Sequence, residues 1–356
     1  MVISEIAECK IILETENFDF LKATFEANTF SKFIVIADSN TLEHCFPLLI
    51  TNCPELSEAE IIELEPGEES KEIETVIQIW NRLLEIGIDK NALIINLGGG
   101  VISDLGGFIA STYKRGLSFI NIPTTLLAMV DAAIGGKNGV DLNYVKNIIG
   151  VIKQPNAVYI YPEFLYTLSA EQMKNGMAEL IKIGLIGNKP LFNSILSQKG
   201  DITKLISKAI QIKSKVVLKD PFDEGYRKIL NFGHTIGHAI ESIRLSKSNP
   251  LLHGEAVAIG MVIESIISNK ITKLPKVELD IIEKFISSNY YLPIITDKFV
   301  KQLIGFIKMD KKNANSQIKM SLLKSIGKCS YNVVVSESQI ESAIAIYNKQ
   351  YANTRK

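Results

Sequence analysis

The sequence predicts an α/β domain followed by a mainly helical one. Three observations carry this expectation. Short apolar, β-rich runs alternate with helix-like segments through the first half. Glycines and small polar residues collect where those runs end. From about Tyr166 the texture changes, and long amphipathic segments take over. Strands alternating with helices imply a largely parallel, Rossmann-like sheet. We therefore place the α/β domain over residues 1–165 and the helical domain over 166–356.

In order, Phe33-Ile34-Val35-Ile36-Ala37 is a first strand, ending at Asp38-Ser39-Asn40. Ile61-Ile62-Glu63-Leu64 is a second, and 73–86 has the apolar spacing of an amphipathic helix. Ala92-Leu93-Ile94-Ile95-Asn96-Leu97 is a continuous apolar run, as expected of a strand buried on both faces. It leads into Gly98-Gly99-Gly100 and another helix, and Phe119-Ile120-Asn121-Ile122 then stops at Pro123-Thr124-Thr125. Beyond the boundary, helices are expected over 170–185, 202–218, 227–243, 254–269, 279–288 and 299–308, with a β-rich run at 318–323. The polar tail 349–356 is expected to be mobile.

A chain of 356 residues can bury two cores. Lys+Arg and Asp+Glu are equal at 39 each, so no global field draws in nucleic acid or an anionic membrane. Local basic pockets remain possible. Cys9, Cys45, Cys53 and Cys329 form no C-x-x-C pair and read as reduced thiols of a cytosolic protein. The N-terminus lacks the pattern of a secretion signal. No stretch approaches the roughly 18 uninterrupted apolar residues that cross a bilayer. The expectation is a soluble cytoplasmic protein.

Three of the four histidines, His234, His238 and His253, fall in one short segment. Residues 227–241 read as a helix on Ile229, Leu230, Ile236 and Ile240, so His234 and His238 sit one turn apart on one face. They could share a divalent metal, or one could bind it while the other works on a substrate. His253 opens the next apolar segment, making a cradle short of one ligand, most often a carboxylate. The plain alternative is a set of packed core histidines.

Gly98–Gly100, between a buried strand and a helix, would let a pyrophosphate approach backbone N–H groups. The pattern is not G-x-G-x-x-G, because Ser103 stands where a third glycine would be. Asp38 could accept ribose hydroxyls or simply cap the next helix. With Thr124 and Thr125 it places three candidate groups at strand ends, where parallel sheets bind ligands. Lys137 after Gly135-Gly136, Lys146-Asn147 and Arg227-Lys228 suit a phosphate or carboxylate, or are solvated. Glu179 and Lys182 are either a surface i,i+3 ion pair or a metal ligand and a substrate cation. Spacing cannot choose.

Together these motifs resemble the 3-dehydroquinate synthase family of sugar-phosphate cyclases, from about Asp38 to Lys328. The resemblance rests on Pro66-Gly67-Glu68-Glu69-Ser70-Lys71, Gly98–Asp104, Tyr113-Lys114-Arg115-Gly116 and Pro123–Asp131. It continues through Gly135-Gly136-Lys137, Lys146-Asn147, Gln154-Pro155, Ala178–Lys182, Asn231–His238, Leu252–Val257 and Asp310-Lys311-Lys312. It implies NAD and one divalent metal, Zn or Co, held by Glu179, His234 and His253. His238 becomes a phosphate or proton-transfer residue. Asp38, Asn40, Glu68, Lys71, Gly99, Gly100, Asp104, Thr124, Thr125, Lys137, Lys146, Phe164 and Thr167 would bind NAD. Asp131, Lys137, Asn147, Lys182, Lys213, Arg227, Asn231 and Lys312, or its neighbour Lys311, would surround the substrate. Arg115 would reach the phosphate in the opposite subunit of a homodimer.

The implied reaction turns 3-deoxy-D-arabino-heptulosonate 7-phosphate into 3-dehydroquinate. Transient oxidation at C5 acidifies the neighbouring proton, phosphate leaves by β-elimination, the ketone is reduced again, and an aldol step closes the ring. Three departures stand out: Ser103, the loosely matching Asp220–Gly225 stretch, and a slightly long loop through 246–250. Rival readings are another cyclase, of the 2-deoxy-scyllo-inosose or valiolone type, a metal-dependent polyol dehydrogenase, and a nucleotide-binding module whose histidines merely pack.

Overall fold

The computed structural model describes the chain except for Glu16, Tyr144, Lys199 and residues 246–250, 311–316 and 352–356. Two compact units emerge, 1–176 with 202–218, and 177–201 with 219–356. The first thus includes a helix that lies beyond residue 165 in sequence.

The first unit is built on a seven-stranded sheet. Its strands are β1 (Val2–Ile6), β2 (Cys9–Leu13), β3 (Phe33–Asp38), β4 (Glu60–Leu64), β5 (Leu93–Gly98) and β6 (Ser118–Pro123). After a separate antiparallel hairpin, β7 (Lys137–Leu142) and β8 (Val145–Ile152), comes the last sheet strand, β9 (Ala157–Ile160). The order is β1-β2-β9-β6-β5-β3-β4, parallel throughout except for the β1–β2 pair. This is the mostly parallel sheet that the alternating pattern predicts. Its helices are α1 (Asp19–Glu26), α2 (Ser39–His44), α3 (Phe46–Asn52), α4 (Ile73–Glu85) and α5 (Gly100–Thr112). Every residue of β5 is buried, which explains why its sequence is a run and not an alternation. Ile34, Ile94, Leu105, Phe108, Phe119 and Val140 are among the residues of the core between the sheet, α4, α5 and the hairpin.

Helix α5 lies unusually close to its neighbours. A Cβ on Gly106 would stand 1.9 Å from Asn96 Oδ1, and one on Gly107 would stand 2.0 Å from Asn138 Oδ1. Buried Asn96 donates to Asn121 Oδ1 at 2.9 Å across β5 and β6. Close helix–sheet packing, the usual task of a third fingerprint glycine, therefore falls to Gly106 and Gly107. Ser103 is buried and turns its hydroxyl back onto the Gly99 carbonyl at 3.1 Å.

After β9, helices α6 (Ala170–Gly187), α7 (Lys189–Leu196) and α8 (Ile202–Lys219) follow, with α8 through Leu218 counted in the first unit. The second unit adds α9 (His234–Leu245), α10 (His253–Ile271), α11 (Lys276–Asn289), α12 (Asp297–Asp310), a hairpin of β10 (Lys319–Ser325) and β11 (Lys328–Val334), and α13 (Glu337–Tyr351). Helix α10 is buried continuously from Ala256 to Ser268. It is apolar on nearly all faces because α9, α11, α13 and β10 surround it.

Two sequence expectations change. The single helix expected over 227–243 is broken: Tyr226–Asn231 is a 3-10 turn, and α9 begins only at His234. Gly233 makes the break at φ +81°, where a Cβ would also lie 2.6 Å from Met261 Cγ. The tail expected to be mobile from 349 is helical through Tyr351, anchored by its buried ring; residues 352–356 lie outside those described.

Candidate metal centre and nucleotide cradle

Glu179 is 0% exposed on α6, and Lys182, one turn later, is 1% exposed. Their ammonium and carboxylate are in direct contact, so this is a buried pair and not a surface one. The same carboxylate faces two imidazoles that lie more than fifty residues downstream. Glu179 Oε1 is 3.4 Å from His234 Nε2 and 3.5 Å from His253 Nε2. Ligands placed tetrahedrally about 2.0–2.2 Å from a zinc ion are themselves separated by roughly 3.3–3.5 Å. The observed gaps match that edge.

The outer ring nitrogens explain why these inner ones point inward. His234 Nδ1 lies 3.2 Å from the Phe232 carbonyl, and His253 Nδ1 lies 3.3 Å from Glu241 Oε2. Both partners only accept, so each Nδ1 donates to its partner and each ring turns its Nε2 toward Glu179. Two imidazole nitrogens and a carboxylate oxygen converge there, and neither Glu179 oxygen has a hydrogen bond of good geometry among the described residues. With both Nε2 atoms unprotonated, two imidazoles and a carboxylate at zinc-ligand spacing make a donor set that fits a divalent metal.

The titration behaviour has the same cause. Burial works against charge on His253, but the facing carboxylates of Glu179 and Glu241 outweigh it and push the imidazole up to about 10. Burial, with Lys182 nearby, holds His234 well below its ordinary value. Burial also opposes the charge on Glu179, yet Lys182 and the histidines keep its carboxyl well below the usual range.

His238 sits at i+4 from His234 and is exposed. Its ring centroid is 4.9 Å from that of His234 and 5.7 Å from that of His253, and the three imidazoles offer nitrogens within 4.8 Å of one another. Arg227 is buried and donates to the Pro221 carbonyl at 2.9 Å, while Asp220 accepts its backbone N–H at 2.9 Å. The departing stretch 220–225 thus holds Arg227 in place. Asn231 is exposed at the end of the 3-10 turn. Lys311 and Lys312 lie outside the described residues.

In the first unit, Gly99 occupies the N-cap of α5 without a side-chain cap. The N–H groups of the first turn are thereby left for an anion. A Cβ on Gly99 would come 3.2 Å from Thr125 Cγ2, and one on Gly100 would come 3.1 Å from Ala132. Thr124 is buried and ties its N–H to the Gly98 carbonyl at 3.0 Å. Asp38 caps α2, accepting from Thr41 N at 2.8 Å, beside exposed Asn40. Lys71, 4% exposed, reaches Asp104 Oδ2 at 2.5 Å and Glu68 Oε1 at 3.9 Å, and Lys146 reaches the same Glu68 oxygen at 3.7 Å. Burial disfavours the Lys71 charge, but Asp104 and Glu68 more than restore it and raise its value. These four residues, up to 78 positions apart, form one charged cluster.

Other expected residues are placed less tightly. Thr125 Oγ1 accepts from Ala128 N at 3.2 Å and opens the π-helical turn Ala128–Ala132, which carries Asp131. Lys213 of α8 donates to the Asp131 carbonyl at 2.6 Å and touches its carboxylate. Lys137 and Asn147 are exposed on the hairpin, with Asn147 N donating to Asp141 at 2.7 Å. Phe164 is 2% exposed and packs its ring on Phe18 and Tyr161, so its side chain is committed to the core. Thr167 Oγ1 donates to the Phe164 carbonyl at 3.2 Å. Arg115 is exposed at φ +67°.

Sequence reasoning missed Glu241. It stands seven residues after His234 on α9, two turns along the same face, and that spacing alone could have exposed it.

Two family models match the chain, 3-dehydroquinate synthase N-terminal over residues 61–175 and 3-dehydroquinate synthase C-terminal over 176–313. The chain belongs to the 3-dehydroquinate synthase family. A 3-dehydroquinate synthase from Parabacteroides distasonis is 37% identical over 345 residues, covering 95% of this chain and 96% of its own length. One from Clostridium botulinum is 45% identical over 273 residues, 75% of this chain and 77% of its own. Among solved structures, a 2-epi-5-epi-valiolone synthase from Streptomyces hygroscopicus with NAD+ and Zn2+ bound superposes with a TM-score of 0.84 at 25% identity, covering 98% of both chains. A 2-deoxy-scyllo-inosose synthase with carbaglucose-6-phosphate, NAD+ and Co2+ gives 0.82 at 26% identity, covering 94% of this chain and 96% of its own. An iron-containing alcohol dehydrogenase, 13% identical at a TM-score of 0.68, shares the fold alone. Among the described residues no helix is long and apolar enough to cross a membrane.

Proposed function

We infer that this chain is a 3-dehydroquinate synthase, a carbon–oxygen lyase that converts 3-deoxy-D-arabino-heptulosonate 7-phosphate to 3-dehydroquinate and phosphate. The observation that carries the reading is the buried Glu179 carboxylate facing two imidazole nitrogens in a chain that matches both halves of the family. Bound to the protein, NAD supplies a reversible hydride acceptor and the divalent cation a Lewis acid for the substrate hydroxyl.

The chain's own groups divide the remaining work. Glu179, His234 and His253 would hold the cation, and Glu241 orients His253. The first turn of α5, Lys71, Glu68, Asp104 and Lys146 would hold the dinucleotide, with Asp38, Asn40, Thr124, Thr125, Lys137 and Thr167. Buried Lys182 and Arg227, with Asn231 and Lys312, are suited to the substrate's anionic groups. Asp131, Lys137, Asn147 and Lys213 are the other residues we assign to the substrate. Exposed His238 stands close enough to the ligand imidazoles to move a proton as phosphate departs. The four free thiols agree with a reducing, cytoplasmic compartment.

Purified protein incubated with the heptulosonate phosphate, Zn2+ and substoichiometric NAD should release phosphate over many turnovers with no net NADH. Steady NADH accumulation would instead mark a polyol dehydrogenase, and silence a binding module. Because the two solved cyclases superpose so closely, glucose 6-phosphate is the competing substrate to run beside it. Faster phosphate release from the hexose phosphate would move the chain to the inosose type. We further propose a homodimer in which Arg115, exposed and without an ion pair among the described residues, serves the neighbouring subunit. Light scattering at assay concentration should give twice the 39.5 kDa of one chain, and a monomeric mass overturns the dimer.

A further inference from the structure

We propose that Glu264 is a positioning residue for the metal centre: its carboxylate fixes the Phe232–Gly233 peptide, whose carbonyl in turn holds His234 with Nδ1 protonated and Nε2 free. The proposal rests on the reading of His234 as a ligand. Glu264 is 0% exposed on α10, eleven residues after His253 and therefore three turns along the same face. Its Oε2 accepts from Gly233 N at 2.7 Å and its Oε1 from Ile236 N at 3.0 Å. The two bonds bracket His234.

Gly233 N–H and Phe232 C=O belong to one planar trans peptide, so they point in opposite directions. Anchoring the N–H therefore aims the carbonyl, which meets His234 Nδ1 at 3.2 Å. A charged acceptor on the N–H also polarises that carbonyl and strengthens the bond it accepts. Burying a carboxylate is costly, and an ordinary helix start would be capped locally by Ser, Thr, Asp or Asn. Here the local position is closed: Gly233 is left-handed, and any Cβ would strike Met261. A Cβ on Gly260 would likewise stand 1.9 Å from the Gly233 carbonyl oxygen, so α10 passes directly against this turn. One helix thus carries a ligand, His253, and the clamp that orients another.

Glu264→Gln separates this role from simple packing. The amide keeps the shape but has one acceptor oxygen, so one backbone N–H would face an NH2 donor. In full-length, chelator-treated protein labelled with 15N-histidine, the ring nitrogens of His234 should report Nδ1–H in the unmodified chain and mixed tautomers in E264Q. Zn2+ affinity by chelator competition should fall about tenfold in E264Q, the scale of outer hydrogen-bond partners. The Co2+ absorption bands should shift, while NAD affinity holds. Unchanged Zn2+ affinity and Co2+ spectrum in folded E264Q would overturn the role. So would an Nε2–H tautomer at His234 in the unmodified protein, a measurement that stands even if the variant fails to fold. His234→Ala that retains metal would remove the ligand assignment and leave the tautomer result intact.

Discussion

Glu179→Gln and His253→Ala should each emerge from purification without metal and without turnover, whereas His238→Ala keeps its metal and turns over slowly. Outer partners of metal ligands already cost about 10- to 100-fold in affinity, so loss of a ligand itself should exceed about 100-fold. Glu179→Gln is preferred to alanine because it fills the same buried volume beside Lys182. Metal content by atomic emission and phosphate release are the measurements. A metal-free His238→Ala would overturn this ligand assignment. The same centre predicts a pH dependence. His253, raised to about 10 in the metal-free chain, is protonated at neutral pH and must lose that proton to bind the ion. Metal binding at pH 7 should therefore release about one proton from this site, and affinity should rise about tenfold per pH unit through neutrality. Calorimetry in buffers of different ionisation enthalpy reads the proton directly.

Lys71→Met should destabilise the first unit by about 3 kcal/mol and weaken NAD binding. Breaking a buried ion pair from one side costs about 3–5 kcal/mol because the partner is left uncompensated. The low end applies because the Asp104 side chain keeps 19% exposure. Most of the loss should return in the double variant Lys71→Met/Asp104→Asn, which removes both charges. Denaturant unfolding gives the stability and nucleotide fluorescence the affinity. A single-variant cost below about 1 kcal/mol would mean the pair is no more than a solvated one.

The parallel sheet was legible because its strands are apolar runs and its helices keep their 3.6-residue period. The hairpin β7–β8 was not, since it buries Asn138 and Asp141, polar residues that break any strand-like alternation. The expected helix across 227–243 failed for a related reason. Apolar period continues through Gly233, and only the passage of α10 against that glycine dictates the break. Glu264 lies within the helix expected over 254–269, but its burial depends on neighbours that sequence spacing does not reveal.

Taken alone, the amino-acid sequence determined the fold class, the clustering of three histidines and the order of short motifs that relates the chain to its family. These are local properties, written in periodicity and in the conformational limits of glycine and proline. Tertiary structure decided that Glu179 and Lys182 form a buried pair, that this carboxylate meets His234 and His253, and that Glu241 and Glu264 stand behind them. Those facts depend on burial and on contacts between residues from 12 to 74 positions apart, where a carboxylate's surroundings, and not its place in the sequence, set its chemistry.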